Sequence, residues 1–216
     1  MLYYIITGMS FSIWFAALAG LVRFTNTDGM YRPFIMLCWT GAINELVSFF
    51  VARAGYSTNS NNNIYILAES LLLLWQFKKW VPEAWMKRYF LTLAVVFAGL
   101  WVYEYDSISK LGQIRYYFRF LYAVVIILLS IHLMQRLAVE HARGLGKDPR
   151  FLISAGLTIY FTFKILFDAI WLYQLRGSVA FQQAIYLVFA SLNFLINLLF
   201  ALAILWMPKK PQYIRF

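Results

Sequence analysis

Residues 33–53 read PFIMLCWTGAINELVSFFVAR. A helix needs about 20 mostly apolar residues to cross the hydrocarbon core of a bilayer, and this stretch supplies them. One residue breaks the pattern. Glu45 sits in its second half, where a carboxylate is costly and marks a functional position by default. The stretch therefore raises two questions, how many such spans the chain holds and what Glu45 does in one of them.

The same composition extends in both directions. The chain of 216 residues is 62% hydrophobic and 20% aromatic, against about 45–50% apolar residues in a soluble domain. Further apolar runs give seven spans in all, at roughly 3–23, 33–53, 62–78, 88–104, 115–136, 151–174 and 180–206. The breaks TNTDG, AGYSTNSNNN, KKWVPEAWMKR, YDSISKLGQ, HARGLGKDPR and LRGS carry turn and loop residues. Spans of this length are expected to be helices, because a helix satisfies every backbone group within its own segment. The expected fold is an all-α membrane protein, a seven-helix bundle forming a single domain over 1–216, with no soluble domain. The first apolar run has no basic residue before Arg23, so it reads as a retained span rather than a signal peptide.

The net charge of +10 does not point to nucleic acid, because the basic residues sit in short connections. Arg23, Arg32, Lys78, Lys79, Lys87, Arg88, Arg136, Arg143, Lys147, Arg150, Lys209, Lys210 and Arg215 fall on one side of the expected bundle. Arg53, Lys110, Arg115, Arg119 and Arg176 fall on the other. By the positive-inside rule the N-terminus is outside and the C-terminus cytoplasmic.

Two stretches echo each other. IYILAESLLLL from Ile64 and IYLVFASLNFL from Ile185 share Ile, Tyr, Ser and two Leu positions. In the preceding spans, Glu45 and Asp168 each lie eight residues before an arginine, Arg53 and Arg176. This pattern predicts two three-helix repeats, 3–78 and 115–206, joined by a connector at 88–104. Such repeats are related by an axis along the membrane normal.

The ionisable residues within the spans are Glu45, Glu69, Arg115, Arg119, Lys164 and Asp168. At about 1.5 Å per residue they lie near the midplane or toward the outer surface. Asn44, Ser70, Tyr65, Asn193 and Asn197 can join them. The set predicts a polar cup, open outward, in which Glu45, Glu69, Arg119, Lys164, Asp168, Asn193 and Asn44 bind a small polar ligand or cation. Lys164 and Asp168, at i and i+4, are expected to pair on one helix face. Glu69 has the fewest evident partners in the sequence, which suits proton coupling.

Catalytic signatures are sparse. The two histidines, His132 and His141, are nine residues apart, and there is no GxSxG or HExxH. Ser130 and His132 diverge on a helix, and GLG at 144–146 is not a phosphate cradle. The last span has no lysine for a retinal Schiff base, and no cofactor or metal is implied. An acid-dependent lipid hydrolase of the lysoplasmalogenase type is a further alternative, without a specific motif.

The run NELVSFFVARAGYSTNSNNNIYILAESLLLL, with DPRFLISAGLTIYF and SLNFLINLLFALAIL, resembles a group of seven-span bacterial proteins of the Bacteroidetes type. The resemblance covers nearly the whole chain through loose motifs. It implies an inner-membrane location and a sensory role alongside a cytoplasmic signalling partner, and it brings no ligand or catalytic residue. The three-plus-one-plus-three plan is also similar to SWEET and PQ-loop transporters. Here the only Pro-Gln pair, Pro211-Gln212, is in the tail, and spans 2, 3, 5 and 6 have no mid-span proline. The sensor reading therefore comes first and a small solute or proton-coupled transporter second.

Overall fold

The computed structural model describes residues 2–81, 84–107, 116–140, 144–172 and 177–209. Arg115, one of the ionisable residues within the expected spans, and Lys110, Arg176 and His141 lie outside them. The described residues are helical, with short connections and no strand. The helices are α1 Leu2–Ser10, α2 Ile13–Arg23, α3 Arg32–Arg53, α4 Asn59–Trp80, α5 Ala84–Ser107, α6 Tyr116–Glu140, α7 Pro149–Leu172 and α8 Val179–Trp206.

Five helical stretches are long and apolar enough to cross a membrane: Ile5–Arg23, Arg32–Arg53, Tyr117–Glu140, Pro149–Ile170 and Val179–Trp206. Their outward faces are apolar, with Phe15, Val22, Ile43, Phe50, Phe120, Leu128 and Leu195 all well exposed. That surface suits lipid rather than water. The other two expected spans, α4 and α5, have 22 and 24 residues and so have the length. The shortfall of α4 is in composition, because Asn63, Glu69, Ser70 and Gln76 are turned into the bundle and buried.

Neighbours in sequence are neighbours in space. α2 packs on α3, α3 on α4, α6 on α7 and α7 on α8, and α2 meets α8 to close the ring. α5 packs against both α4 and α6, which also touch each other. The core is aromatic. Phe34 meets Phe200 edge-on at 5.1 Å, and Tyr122 meets Phe161 edge-on at 5.3 Å. Close approach is set by two glycines: a Cβ on Gly20 would lie 2.7 Å from Ile35 Cγ2, and one on Gly156 would lie 2.6 Å from Phe200 Cε1. Small residues at helix contacts let backbones approach, as is usual in membrane bundles.

Backbone groups freed at helix ends find partners inside the bundle. Gln76, fully buried on α4, accepts from Phe34 N at 2.8 Å and donates to Met30 O at 2.7 Å, which ties down the start of α3. Glu104 on α5 accepts from Phe118 N at 3.0 Å in the first turn of α6, where free N–H groups and the helix dipole favour an anion. At the end of α3, Gly55 adopts φ 83°. Tyr56 N then reaches Val51 O, and Gly55 N reaches Ala52 O. This left-handed cap is one that glycine adopts without steric cost.

Two details depart from the expected spans. The first span tightens locally at Phe11–Ser12, between α1 and α2, where Ser12, Trp14 and Phe15 bond three residues back while Ser12 keeps right-handed helical angles. Gly8, Ser10 and Ser12 are weak helix formers, and Asn197 Nδ2 donates to Ser12 Oγ at 2.9 Å across the helix pair. The second departure is the segment Asn59–Asn63, expected as loop, which forms the first turn of α4. Tertiary bonds outweigh its poor helix propensity: Asn61 donates to Asn44 Oδ1 at 2.7 Å and to Ser48 Oγ at 3.0 Å.

Candidate functional site

The predicted polar residues gather around two adjoining chambers. The mid-bundle chamber, ≈ 90 Å³, is lined by Glu45, Tyr65, Glu69, Tyr160, Asn193 and Asn197 among apolar neighbours such as Phe34, Leu37 and Phe200. Gly41, also on its wall, leaves room where a side chain would stand. The second chamber, ≈ 200 Å³, lies toward the α3–α4 and α7–α8 connections. Its wall includes Asn44, Glu45, Asn62, Arg119, Lys164 and Asp168. Glu45, Tyr65 and Tyr160 belong to both walls. All seven predicted site residues thus border one chamber or the other, and each chamber has room for water molecules with polar partners.

Glu69 anchors the first cluster. Its Oε2 accepts from Tyr122 Oη at 2.6 Å and from Lys164 Nζ at 3.1 Å, and its Oε1 accepts from Tyr65 Oη at 3.2 Å. Lys164 Nζ also donates to Tyr122 Oη at 2.5 Å. The same ammonium lies 5.3 and 5.2 Å from the ring centres of Tyr160 and Phe161, within the range at which aromatic rings attract a cation. α4, α6 and α7 are stitched together at this point.

The second cluster pairs Arg119 Nη1 of α6 with Asp168 Oδ1 of α7 at 3.4 Å, while Arg119 Nε is buried with no partner among the described residues. Asn44, on α3, forms a third cluster with Asn61, Asn62 and Ser48, and its Nδ2 donates to Asn62 Oδ1 at 3.2 Å. Asn193 lines the mid-bundle chamber. Ser70, buried, donates to Leu67 O within its own helix.

Two sequence expectations are corrected. Lys164 does not pair with Asp168 four residues on; it turns inward to Glu69, and Asp168 turns to Arg119. Helix packing brings α4 and α6 within reach, and pairing between helices displaces pairing along one. Nor is Glu69 the poorly partnered acid, since it has three partners. That position belongs to Glu45. It forms no hydrogen bond or ion pair with any described residue, although it sits where the chambers meet. Counted over the described site, Glu45, Glu69 and Asp168 face Arg119 and Lys164, which leaves one acid over.

Tyr122 and Tyr160 were not expected in the site. Tyr122 lies three residues after Arg119 and so shares its helix face, which is the signal that could have found it. Tyr160 stands four residues before Lys164 on the same principle. Ser130 is buried on α6 without a partner among the described residues and borders neither chamber, and His132 faces outward.

No family model, curated protein or solved structure matches this chain.

Proposed function

We propose that the chain is a seven-span membrane protein that binds a small cation-bearing polar ligand at Glu45 and acts as a receptor or sensor. The observation that carries this reading is an acid with no partner among the described residues, at the junction of two polar chambers. A carboxylate held at that depth is costly unless a proton or cation neutralises it. Every other acid in the site already has a basic partner. Glu45 is therefore the group left for a ligand, while the two ion pairs shape the chambers around it.

The topology belongs to the proposal. α4 and α5 cross with the five more apolar helices, since α4 is part of the ring, α5 packs against α4 and α6, and both have spanning length. The N-terminus is outside, which puts Arg23, Arg32, Lys78, Lys79, Lys147, Arg150 and Lys209 on the cytoplasmic side of a bacterial inner membrane, near anionic lipid and a signalling partner. The chamber containing Arg119 and Asp168 then opens outward. The repeat is supported by packing: each three-helix unit packs in sequence order, and both cross-contacts, α2 with α8 and α4 with α6, are made. Resemblance to the Bacteroidetes-type group agrees with the same location.

The test is binding of radiolabelled ethylamine, as the simplest ammonium probe, to protein in phosphatidylglycerol nanodiscs, whose lipid has no ammonium group to compete. Saturable binding is expected, weakened at least about tenfold by Glu45→Gln, the scale of a lost charge-assisted contact. Equal binding by wild type and Glu45→Gln overturns the reading.

A second reading, a small transporter, is favoured by one observation. The first span tightens into three-residue turns at Phe11–Ser12, and Ser10 and Ile13 on either side line the mid-bundle chamber. A tight turn of this kind inside a spanning helix often marks a functional hinge, which alternating access needs. Uptake of ethylamine into proteoliposomes separates the two: a transporter accumulates it inside, and a receptor only binds.

A further inference from the structure

A third hollow, ≈ 280 Å³, lies between α7 and α8 on the same half of the bundle as the outer chamber. Its wall is apolar, formed by residues such as Phe163, Leu166, Ile170, Phe181, Ala184 and Val188. Phe163, Leu166, Phe181 and Val188 are exposed on the bundle's outer face, so the groove opens where lipid chains run. The inner halves of the same helices are closely packed, with Gly156 against Phe200.

The groove and the outer chamber share two residues, Phe167 and Phe189. Their rings stack at 4.9 Å, with 24° between planes. This pair, backed by Tyr186 edge-on to Phe167 at 5.3 Å and Tyr160 tilted against Phe189 at 6.1 Å, separates an apolar groove open to lipid from a polar chamber containing Glu45, Arg119 and Asp168. Both rings are half-buried side chains rather than backbone, so opening this wall asks for their rotation away from Tyr186 and Tyr160.

We infer that the ligand is an amphiphile with an ammonium headgroup, which enters sideways from the bilayer between Phe167 and Phe189, leaves its alkyl chain in the α7–α8 groove and places its headgroup at Glu45. The inference rests on the cation-binding reading of Glu45 and adds the tail. The polar chamber alone fits a water-soluble cation. The groove adds a tail site of matching chemistry on the other side of one aromatic wall. Transfer of the chain from bilayer to groove changes its surroundings little, because both are apolar. The groove therefore selects by shape and route, and Glu45 by charge.

Competition against radiolabelled ethylamine in phosphatidylglycerol nanodiscs, whose lipid has no ammonium group, tests this with dodecylamine, which has both parts, and dodecanol, which has the tail alone. Dodecylamine is expected to displace the probe and dodecanol to leave it in place. The deciding variant is Ala184→Trp, which fills the groove from a lipid-exposed position and touches neither chamber. Dodecylamine affinity should fall about tenfold, the scale of an overfilled site. Ethylamine affinity should be unchanged, which also reports that the variant is folded. Ala184→Trp leaving dodecylamine affinity unchanged, or weakening both amines equally, overturns the amphiphile inference while the Glu45 site stands. Ethylamine binding that ignores Glu45→Gln overturns the cation site itself, and the inference with it.

Discussion

At the scale of single residues, Lys164 shows what an ion pair in this bundle does. Its ammonium and the Glu69 carboxylate are both buried and 3.1 Å apart, with Tyr122 bonded to each. Removing one partner of such a pair strands the other, and that is the costly step. Lys164→Met is therefore expected to destabilise the protein by about 3–5 kcal/mol, read as the shift in SDS-induced unfolding in detergent micelles. The double variant Lys164→Met with Glu69→Met should recover most of that loss, because no charge is left alone. A double variant no more stable than Lys164→Met would mean that the pair is not what holds α4 to α7. The residues of this cluster were only partly legible beforehand. An acid or lysine stands out in an apolar run, so Glu45, Glu69, Lys164 and Asp168 declared themselves. Their pairing did not, because spacing along one helix favoured Lys164 with Asp168 while the choice was made between helices. Tyr122 was hidden by its setting, one aromatic among many in a chain that is 20% aromatic.

At the scale of helices, fit depends on where a side chain is missing. Gly20→Ala and Gly156→Ala each put a methyl into an occupied position, 2.7 Å from Ile35 Cγ2 and 2.6 Å from Phe200 Cε1. Each is expected to cost about 1–3 kcal/mol as overpacking. Gly99 in α5 has nothing within 4 Å of an added Cβ, so Gly99→Ala should instead stabilise the helix by about 0.5–1 kcal/mol. The same unfolding assay ranks all three, and a stabilising Gly20→Ala would contradict the close α2–α3 approach. Gly41 tests the site at this scale. Its added Cβ would lie 3.4 Å from Ile13 Cγ1 and Tyr65 Oη, a contact that alanine can make and leucine cannot without filling the mid-bundle chamber. Gly41→Leu should abolish ethylamine binding, and Gly41→Ala should retain it. The helices themselves were legible from apolar length, and their ends were not. Asn59–Asn63 has loop composition and folds as helix because its amides have partners on α3. At the tightened turn of Phe11–Ser12, the partner of Ser12 Oγ is Asn197, which is distant in sequence.

At the scale of the whole molecule, charge asymmetry and site position make one argument. Among the described residues, Arg23, Arg32, Lys78, Lys79, Lys147, Arg150 and Lys209 lie at or just beyond helix ends on one side of the bundle, and Arg53 lies at the other. The larger chamber belongs to the half containing Arg53, since it is bordered by the later part of α3, the early part of α4 and the later part of α7. If the basic end faces the cytoplasm, ligand reaches Glu45 from outside or from the outer leaflet. The chain carries its own means of testing this, because its single cysteine, Cys38, is buried in the core and a thiol there is shielded from reagents. Cys38→Ala then gives a silent background for cysteines placed at either end. In intact cells a membrane-impermeant maleimide should label Arg53→Cys, which is exposed after the last apolar turn of α3, and should spare Lys79→Cys until the membrane is opened. The reverse labelling order would invert the topology, turn the Arg119–Asp168 chamber toward the cytoplasm and make the ligand an intracellular one.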